Sequence, residues 1–205
     1  MQVKTLVLGA VQTNCYILTS DSAPGRALVI DPAASAKDIF AYLQKNALTL
    51  DAILLTHTHF DHMEALDELI ALTGAPFYCP EKDAGGLTDF ITNGSMLLFR
   101  YPVIVNIKPT RLLRSGDHIG FGKEKLTVLE TPGHTVGSVC YDGGDILFSG
   151  DTLFCQGYGR TDLPGVRDDE LFSSLKRIFA LPDKTVYPGH GQTTTIANER
   201  RYFGA

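Results

Sequence analysis

The chain has 205 residues, with 18 basic and 23 acidic side chains and a formal charge of −5. At 44% hydrophobic residues it can bury a substantial core, which excludes a disordered or low-complexity chain and points to one domain. An acidic balance without basic runs argues against nucleic acid or an anionic membrane surface as partner, and no apolar run approaches the ~20 residues of a membrane span.

The first residues, Met1-Gln-Val-Lys-Thr, alternate like a strand and lack the apolar centre of a signal peptide, so a cytoplasmic protein is expected. Residues 3–8, 14–19 and 27–30 are short, β-branched and aromatic, with Gly, Asp, Ser and Pro between them, and predict strands. Ile39, Phe40, Leu43 and Ala47 recur at helical spacing and predict a helix over 36–48, with Ser35 as its N-cap. The compact run 52–55 predicts a buried strand. After the polar stretch Thr56–His62, Ala65, Leu66, Leu69 and Ile70 share one face of a helix expected over 62–72. Residues 76–79 read as the next strand.

Between 81 and 114 the pattern weakens: 83–92 has some helical character, and Asn93-Gly94, Pro102 and Pro109 mark irregular connections. Strand signals return at 126–130, 138–141 and 145–149. Leu171, Leu175, Ile178 and Phe179 predict a helix over 170–180. A short strand at 185–187 and a helix at 194–201 complete the reading. Two strand-rich blocks, each interleaved with helices, imply an α/β domain of sheets covered by helices. Cys15, Cys79, Cys140 and Cys155 form no C-x-x-C pair and are expected to be reduced and structural. Cys155 stands apart because it lies four residues beyond Asp151.

The histidines carry the chemical signal. Of six in the chain, three fall in Thr56-His57-Thr58-His59-Phe60-Asp61-His62, directly after a predicted strand. Alternate residues of a strand-end loop point the same way, so His57 and His59 can converge, while Asp61 and His62 face a neighbouring point. His134 follows the strand 126–130, Asp151 the strand 145–149, and His190 the strand 185–187. Each of these three sits beside a glycine that allows close backbone approach. Singly, His134 or His190 would pass for an ordinary loop residue; together the four strand-end clusters make a donor set. His118 lacks this context and reads as a surface residue. Imidazole and carboxylate donors suit zinc or iron, and seven of them exceed one open site, so two ions are expected. No thiolate is in the set, which argues against a closed structural zinc site.

The string His-x-His-x-Asp-His, followed by Gly-His-Thr, Gly-Asp-Thr and Pro-Gly-His, resembles the metallo-β-lactamase superfamily. Gly150-Asp-Thr-Leu-Phe, Gly157-Tyr-Gly-Arg-Thr-Asp162 and Pro188-Gly-His-Gly are similar to its glyoxalase II-like (hydroxyacylglutathione hydrolase-like) members, over roughly residues 11–201. The resemblance implies a four-layer αββα sandwich. It places His57, His59 and His134 on a first metal, Asp61, His62 and His190 on a second, and Asp151 between them. It further implies a thioester hydrolase in which a hydroxide shared by the metals attacks the carbonyl, with Asp61 and Asp151 as catalytic carboxylates. Zinc is the expected ion, with iron or manganese as alternatives, and the partner is a small-molecule thioester, with glutathione-derived ones among the candidates. Arg160 matches a basic position near the glutathione moiety; the other reading of it is a loop cation paired with Asp162. One domain over 1–205 is expected, without the C-terminal helical domain that supplies much of the glutathione-binding surface in glyoxalase II proper. The rival chemistry is a persulfide dioxygenase with a single iron on two His and one Asp. Such proteins share a Gly-Arg-Thr-Asp string but carry Pro-Ala-His-Asp where this chain has Pro188-Gly-His-Gly191.

Overall fold

A computed structural model describes residues 1–163 and 167–205. Its strands are β1 (Gln2–Leu8), β2 (Thr13–Ser20), β3 (Ala23–Ile30), β4 (Thr49–Leu54), β5 (Phe77–Pro80), β6 (Arg111–Leu113), β7 (His118–Phe121), β8 (Glu124–Glu130), β9 (Val139–Asp142), β10 (Ile146–Gly150), β11 (Thr185–Pro188) and β12 (Thr194–Thr195). The α-helices are α1 (Ala36–Lys45), α2 (Phe60–Met63), α3 (Leu66–Thr73), α4 (Ser95–Phe99), α5 (Asp168–Phe179) and α6 (Ile196–Phe203).

Among the described residues the strands form two six-stranded sheets, ordered β1-β2-β3-β4-β5-β6 and β12-β11-β10-β9-β8-β7. The first is antiparallel over β1–β3 and parallel from β3 to β6. In the second, only β10 and β11 run parallel. Alternation along β2 shows how the layers arise. Tyr16 and Leu18 pack with Leu28, Leu54, Val128, Tyr141 and Phe148 between the sheets. Cys15 and Ile17 face the other way, onto Ile39 and Leu43 of α1 and Leu66 and Leu69 of α3. On the far sheet, Cys140, Leu147 and Val186 pack against Leu171, Leu175 and Ile178 of α5 and Ile196 of α6. Helices therefore cover the outer face of each sheet, giving the expected αββα order. All four cysteines are free, and only Cys155 is not buried. No described helix is long and apolar enough to cross a membrane.

Several local expectations change. The helix expected over 62–72 is divided into α2 and α3, because the Ala65 amide donates to the carbonyls of Pro32 (3.1 Å) and Ala33 (3.2 Å) and is captured by the neighbouring loop. Helix α1 stops at Lys45, ahead of Ala47 in left-handed backbone at φ 51°. Ser35 precedes α1, but its backbone is left-handed and its hydroxyl donates to Asp38 Oδ2 at 2.5 Å, so it does not cap the helix amides. The weak helical pattern at 83–92 becomes a 3₁₀ helix at Glu81–Leu87 and a turn built on Asp89. The stretch 194–201 splits into β12 and α6, where the Thr195 hydroxyl caps the Asn198 amide at 3.1 Å. The edge strands β6 and β7, three and four residues long, are too short for a period to show in sequence.

Candidate metal centre

The donors lie where strands end, so the sheets themselves set their positions. His57 and His59 follow β4, His134 follows β8, Asp151 follows β10 and His190 follows β11. The structure brings all seven together. His57 Nε2 and His134 Nε2 stand 3.2 and 2.9 Å from His59 Nδ1. On the other side, His62 Nε2 and His190 Nε2 stand 3.6 and 3.3 Å from Asp61 Oδ2. Asp151 joins the halves: Oδ1 is 3.3 Å from His62 Nε2, while Oδ2 is 3.4 Å from both His134 Nε2 and His190 Nε2. Three donor groups result, namely His57/His59/His134, His57/His62/Asp151 and Asp61/His62/His190, each with its ligand atoms within 4.8 Å of one another.

The separations around Asp61 and Asp151, 3.3–3.6 Å, match the chemistry of a cation, whereas the two contacts to His59, at 2.9 and 3.2 Å, are of hydrogen-bond length. Donors held 2.0–2.2 Å from a tetrahedral ion stand about 3.3–3.6 Å apart. His62 Nε2 and Asp151 Oδ1 are buried without a hydrogen-bond partner, which costs free energy unless a cation completes them. The residues present therefore fit bound metal.

Partners behind the rings decide which nitrogen faces inward. Asp31 Oδ2 accepts from His62 Nδ1 (2.8 Å) and from the Thr56 hydroxyl (2.7 Å), and its Oδ1 accepts from the Thr56 amide (2.7 Å). With its proton given to Asp31, Thr56 Oγ1 accepts from His57 Nδ1 at 3.0 Å. His134 Nδ1 donates to the Arg160 carbonyl at 3.0 Å. Each of these three rings thus turns a bare Nε2 toward the cluster. Asp61 Oδ2 accepts from the Thr13 hydroxyl at 2.7 Å. Replacing Asp31 with asparagine is expected to weaken metal binding about 10–100-fold with the fold retained, because outer-shell partners orient ligands on that scale. Chelator competition measures this, and unchanged affinity would contradict it.

Burial, reinforced by the neighbouring His62 and His59, pushes His57 well below the usual imidazole range, and burial beside His134 takes His59 down to about 3. Burial also works against charge on His62 and His190, but the carboxylates prevail. Asp151, Asp61 and Asp31 raise His62 well above its ordinary value, and contacts to Asp151 and Asp61 bring His190 up to about 9. Burial raises Asp61 and Asp151, yet His62 and His190 hold Asp61 at about 2 and Asp151 well below the carboxylate range. Without metal, protons on His62 and His190 compensate the two carboxylates. A raised folded-state pKa contributes stability that is present below the unfolded value of 6.5 and lost as pH rises toward about 9. Metal-free protein should therefore lose melting temperature between pH 6.5 and 9, whereas metal-loaded protein should lose less, and metal uptake in that window should release protons. Melts and proton-release titrations check both.

Of the residues singled out from sequence, Arg160 behaves differently from the donors. Its guanidinium is bidentate to Asp162 (2.6 and 2.9 Å) and roughly half exposed, so the loop-cation pairing is realised, while its carbonyl serves His134. His118 lies exposed on β7, outside the cluster. Besides Thr13 and Thr56, sequence reasoning missed four supporting residues. Asp31 is one. Asp83 is another: it accepts from the Thr58 amide (2.6 Å) and the Gly137 amide (3.1 Å), tying the His57–His62 loop to the His134 loop. Asn14 Nδ2 donates to the Pro188 and Gly191 carbonyls, both at 2.9 Å, and the Tyr16 hydroxyl donates to Pro188 O at 2.5 Å, fixing the His190 loop across the sheets. An Asp-Pro pair after a strand was the one available signal for Asp31; the other three carried none.

Comparison with known proteins agrees with this geometry. The profile of the Metallo-beta-lactamase superfamily matches residues 8–190. Over 205 aligned residues the chain is 38% identical to "Probable metallo-hydrolase YqgX" of Bacillus subtilis (strain 168), spanning 98% of this chain and 95% of that protein. The crystal structure of BLEG-1 B3 metallo-beta-lactamase is similar at a TM-score of 0.92 and 38% identity, covering 98% of this chain and 97% of that one. TTHA1623 in a di-iron-bound form is similar at 0.83 and 33% identity, covering 98% of each chain. With its strand-end donors and this match over most of its length, the chain belongs to the metallo-beta-lactamase superfamily.

Proposed function

We propose that the protein is a dinuclear metal-dependent thioester hydrolase of the hydroxyacylglutathione hydrolase type. The observation that carries this reading is Asp151, whose two oxygens reach ring nitrogens on both sides of the cluster. His57, His59 and His134 would hold one ion, Asp61, His62 and His190 the other, with Asp151 shared. When bound, the metal pair supplies an activated water and polarises the scissile carbonyl. Metal-dependent hydrolysis is supported by the name of YqgX, and the di-iron title of TTHA1623 supports iron beside zinc and manganese as occupant.

The chain's own residues supply orientation. Thr13 fixes Asp61, leaving Asp61 Oδ1 to orient the nucleophile. A departing thiolate has a conjugate-acid pKa of about 8.5 and needs no dedicated general acid, which suits a cluster whose histidines are all in the donor set. Arg160 is the anchor for a carboxylate of the thiol moiety, exchanging its Asp162 partner for substrate. Arg160→Ala should then raise KM for an anionic thioester about tenfold with little change in kcat, the pattern of lost uniform binding. A neutral thioester should not discriminate between the two proteins, and an unchanged anionic-to-neutral ratio would remove Arg160 from the substrate site.

The direct test is metal-loaded protein assayed against lactoylglutathione, a simple ester and a β-lactam, with oxygen uptake on glutathione persulfide as contrast. Thiol release from the thioester, without oxygen uptake, is the expected result. Oxygen consumption without thioester cleavage would replace this reading with the dioxygenase.

A further inference from the structure

The segment after the 3₁₀ helix concentrates exposed apolar surface beside the metal centre. Met96, Leu97, Leu98, Phe99 and Tyr101 are each 39–50% exposed, in a stretch whose only charged residue is Arg100. Exposed apolar patches of this kind mark binding surfaces. The stretch is built and not frayed. Asn93 is buried, donates to the Gly86 and Val103 carbonyls (3.0 and 2.9 Å) and accepts from the Ser95 amide (3.0 Å). The Ser95 hydroxyl accepts from the Val103 amide at 3.0 Å. Both ends of a loop at 94–102 are thereby pinned, leaving its apolar tip outward, as in compact functional loops.

Two contacts place this tip against the donors. The Phe99 ring lies 5.0 Å from that of Phe60, which sits between the donors His59 and Asp61, and the Phe60 amide donates to Asn93 O at 3.0 Å. A Cβ at Gly94 would meet both Leu98 Cδ1 (3.8 Å) and Leu163 Cδ1 (4.0 Å), so the tip also adjoins the loop whose Arg160 carbonyl orients His134.

We infer that residues 95–101 form an apolar lip of the metal centre that receives the acyl chain of the thioester. The inference rests on the thioester reading and adds to it a preference, among acyl groups, for long apolar chains over short ones. Thiol carriers of the glutathione kind are polar and charged, so the apolar part of such a substrate is its acyl group. Burying a methylene against such a surface changes kcat/KM by up to about fourfold, so selectivity accumulates with chain length.

The experiment compares acetyl and octanoyl glutathione thioesters on metal-loaded protein, wild type and the Leu97→Gln/Leu98→Gln double variant. The octanoyl-to-acetyl ratio of kcat/KM should be at least about tenfold in wild type and fall toward one in the variant. Because the chain has no tryptophan, Phe99→Trp gives a single reporter. Its emission should shift to the blue with S-octylglutathione, a non-cleavable thioether, and not with S-methylglutathione. Equal rates on the two thioesters, without an emission shift, overturn the lip and leave the thioester reading standing. Failure to cleave either thioester while lactoylglutathione is cleaved overturns the inference alone, and failure on all three overturns both. A wild-type dimer in sedimentation that the double variant dissociates also overturns the inference, since a second copy would then cover this surface.

Discussion

Asp151→Ala should lower kcat/KM by about three orders of magnitude, the factor that several kcal/mol of lost charge stabilisation gives. The reason is its position: one oxygen faces His62 and the other faces both His134 and His190. No described residue is placed to replace that span. Removing the carboxylate also removes the first charge that holds a proton on His62 and the first contact that holds one on His190. The same variant, freed of metal, should therefore show the His190 imidazole titrating below about 9 by NMR, a readout independent of turnover. The fold should persist, because Asp151 lies at a strand end and outside the three apolar clusters. Activity within tenfold of wild type would contradict the shared role.

The second large effect is expected from a single methyl group. A Cβ at Gly189 would overlap Asp151 Oδ1 and come within 2.7 Å of His62 Cε1. The backbone cannot retreat, since the Gly189 amide donates to Gly150 O (2.8 Å) and its carbonyl accepts from the Asn14 amide (2.7 Å). Gly189→Ala should lower turnover about a hundredfold through misplacement of Asp151 and His62, and cost about 1–3 kcal/mol of stability by overpacking. Gly157→Ala is the control: a Cβ there meets only Phe154 Cβ at 3.9 Å, and activity should hold. Equal behaviour of the two variants would show that the close packing at Gly189 is not needed.

The convergence of these seven side chains was legible because periodicity and chemistry coincide. Runs such as Ala52–Leu55 declare a strand, and His57 and His59 follow at alternate positions, so convergence can be anticipated before any tertiary contact is known. What supports the donors was not legible. Asp31 and Asp83 act through partners 25 residues away, Thr56 and Thr58, and beyond the Asp31-Pro32 pair neither aspartate carries a local sign of the donors it accepts from. Asn14 works across 174 residues onto Pro188. The division of α2 from α3 was hidden for the same reason: the apolar spacing of Ala65, Leu66, Leu69 and Ile70 is helical throughout, and the break comes from carbonyls of another loop. Residues 81–114 resisted reading because their order depends on side-chain clamps such as Asn93, and the apolar tip they hold outward breaks the rule that periodicity marks the core.

The central claim, that seven donors hold two ions, is tested most directly by metal content. Purified protein stripped with chelator and reloaded should bind two ions per chain by elemental analysis. His190→Ala should reduce this to one, and Asp151→Ala should weaken both. Saturation at one ion per chain, with His190→Ala binding as tightly as wild type, would contradict the dinuclear account.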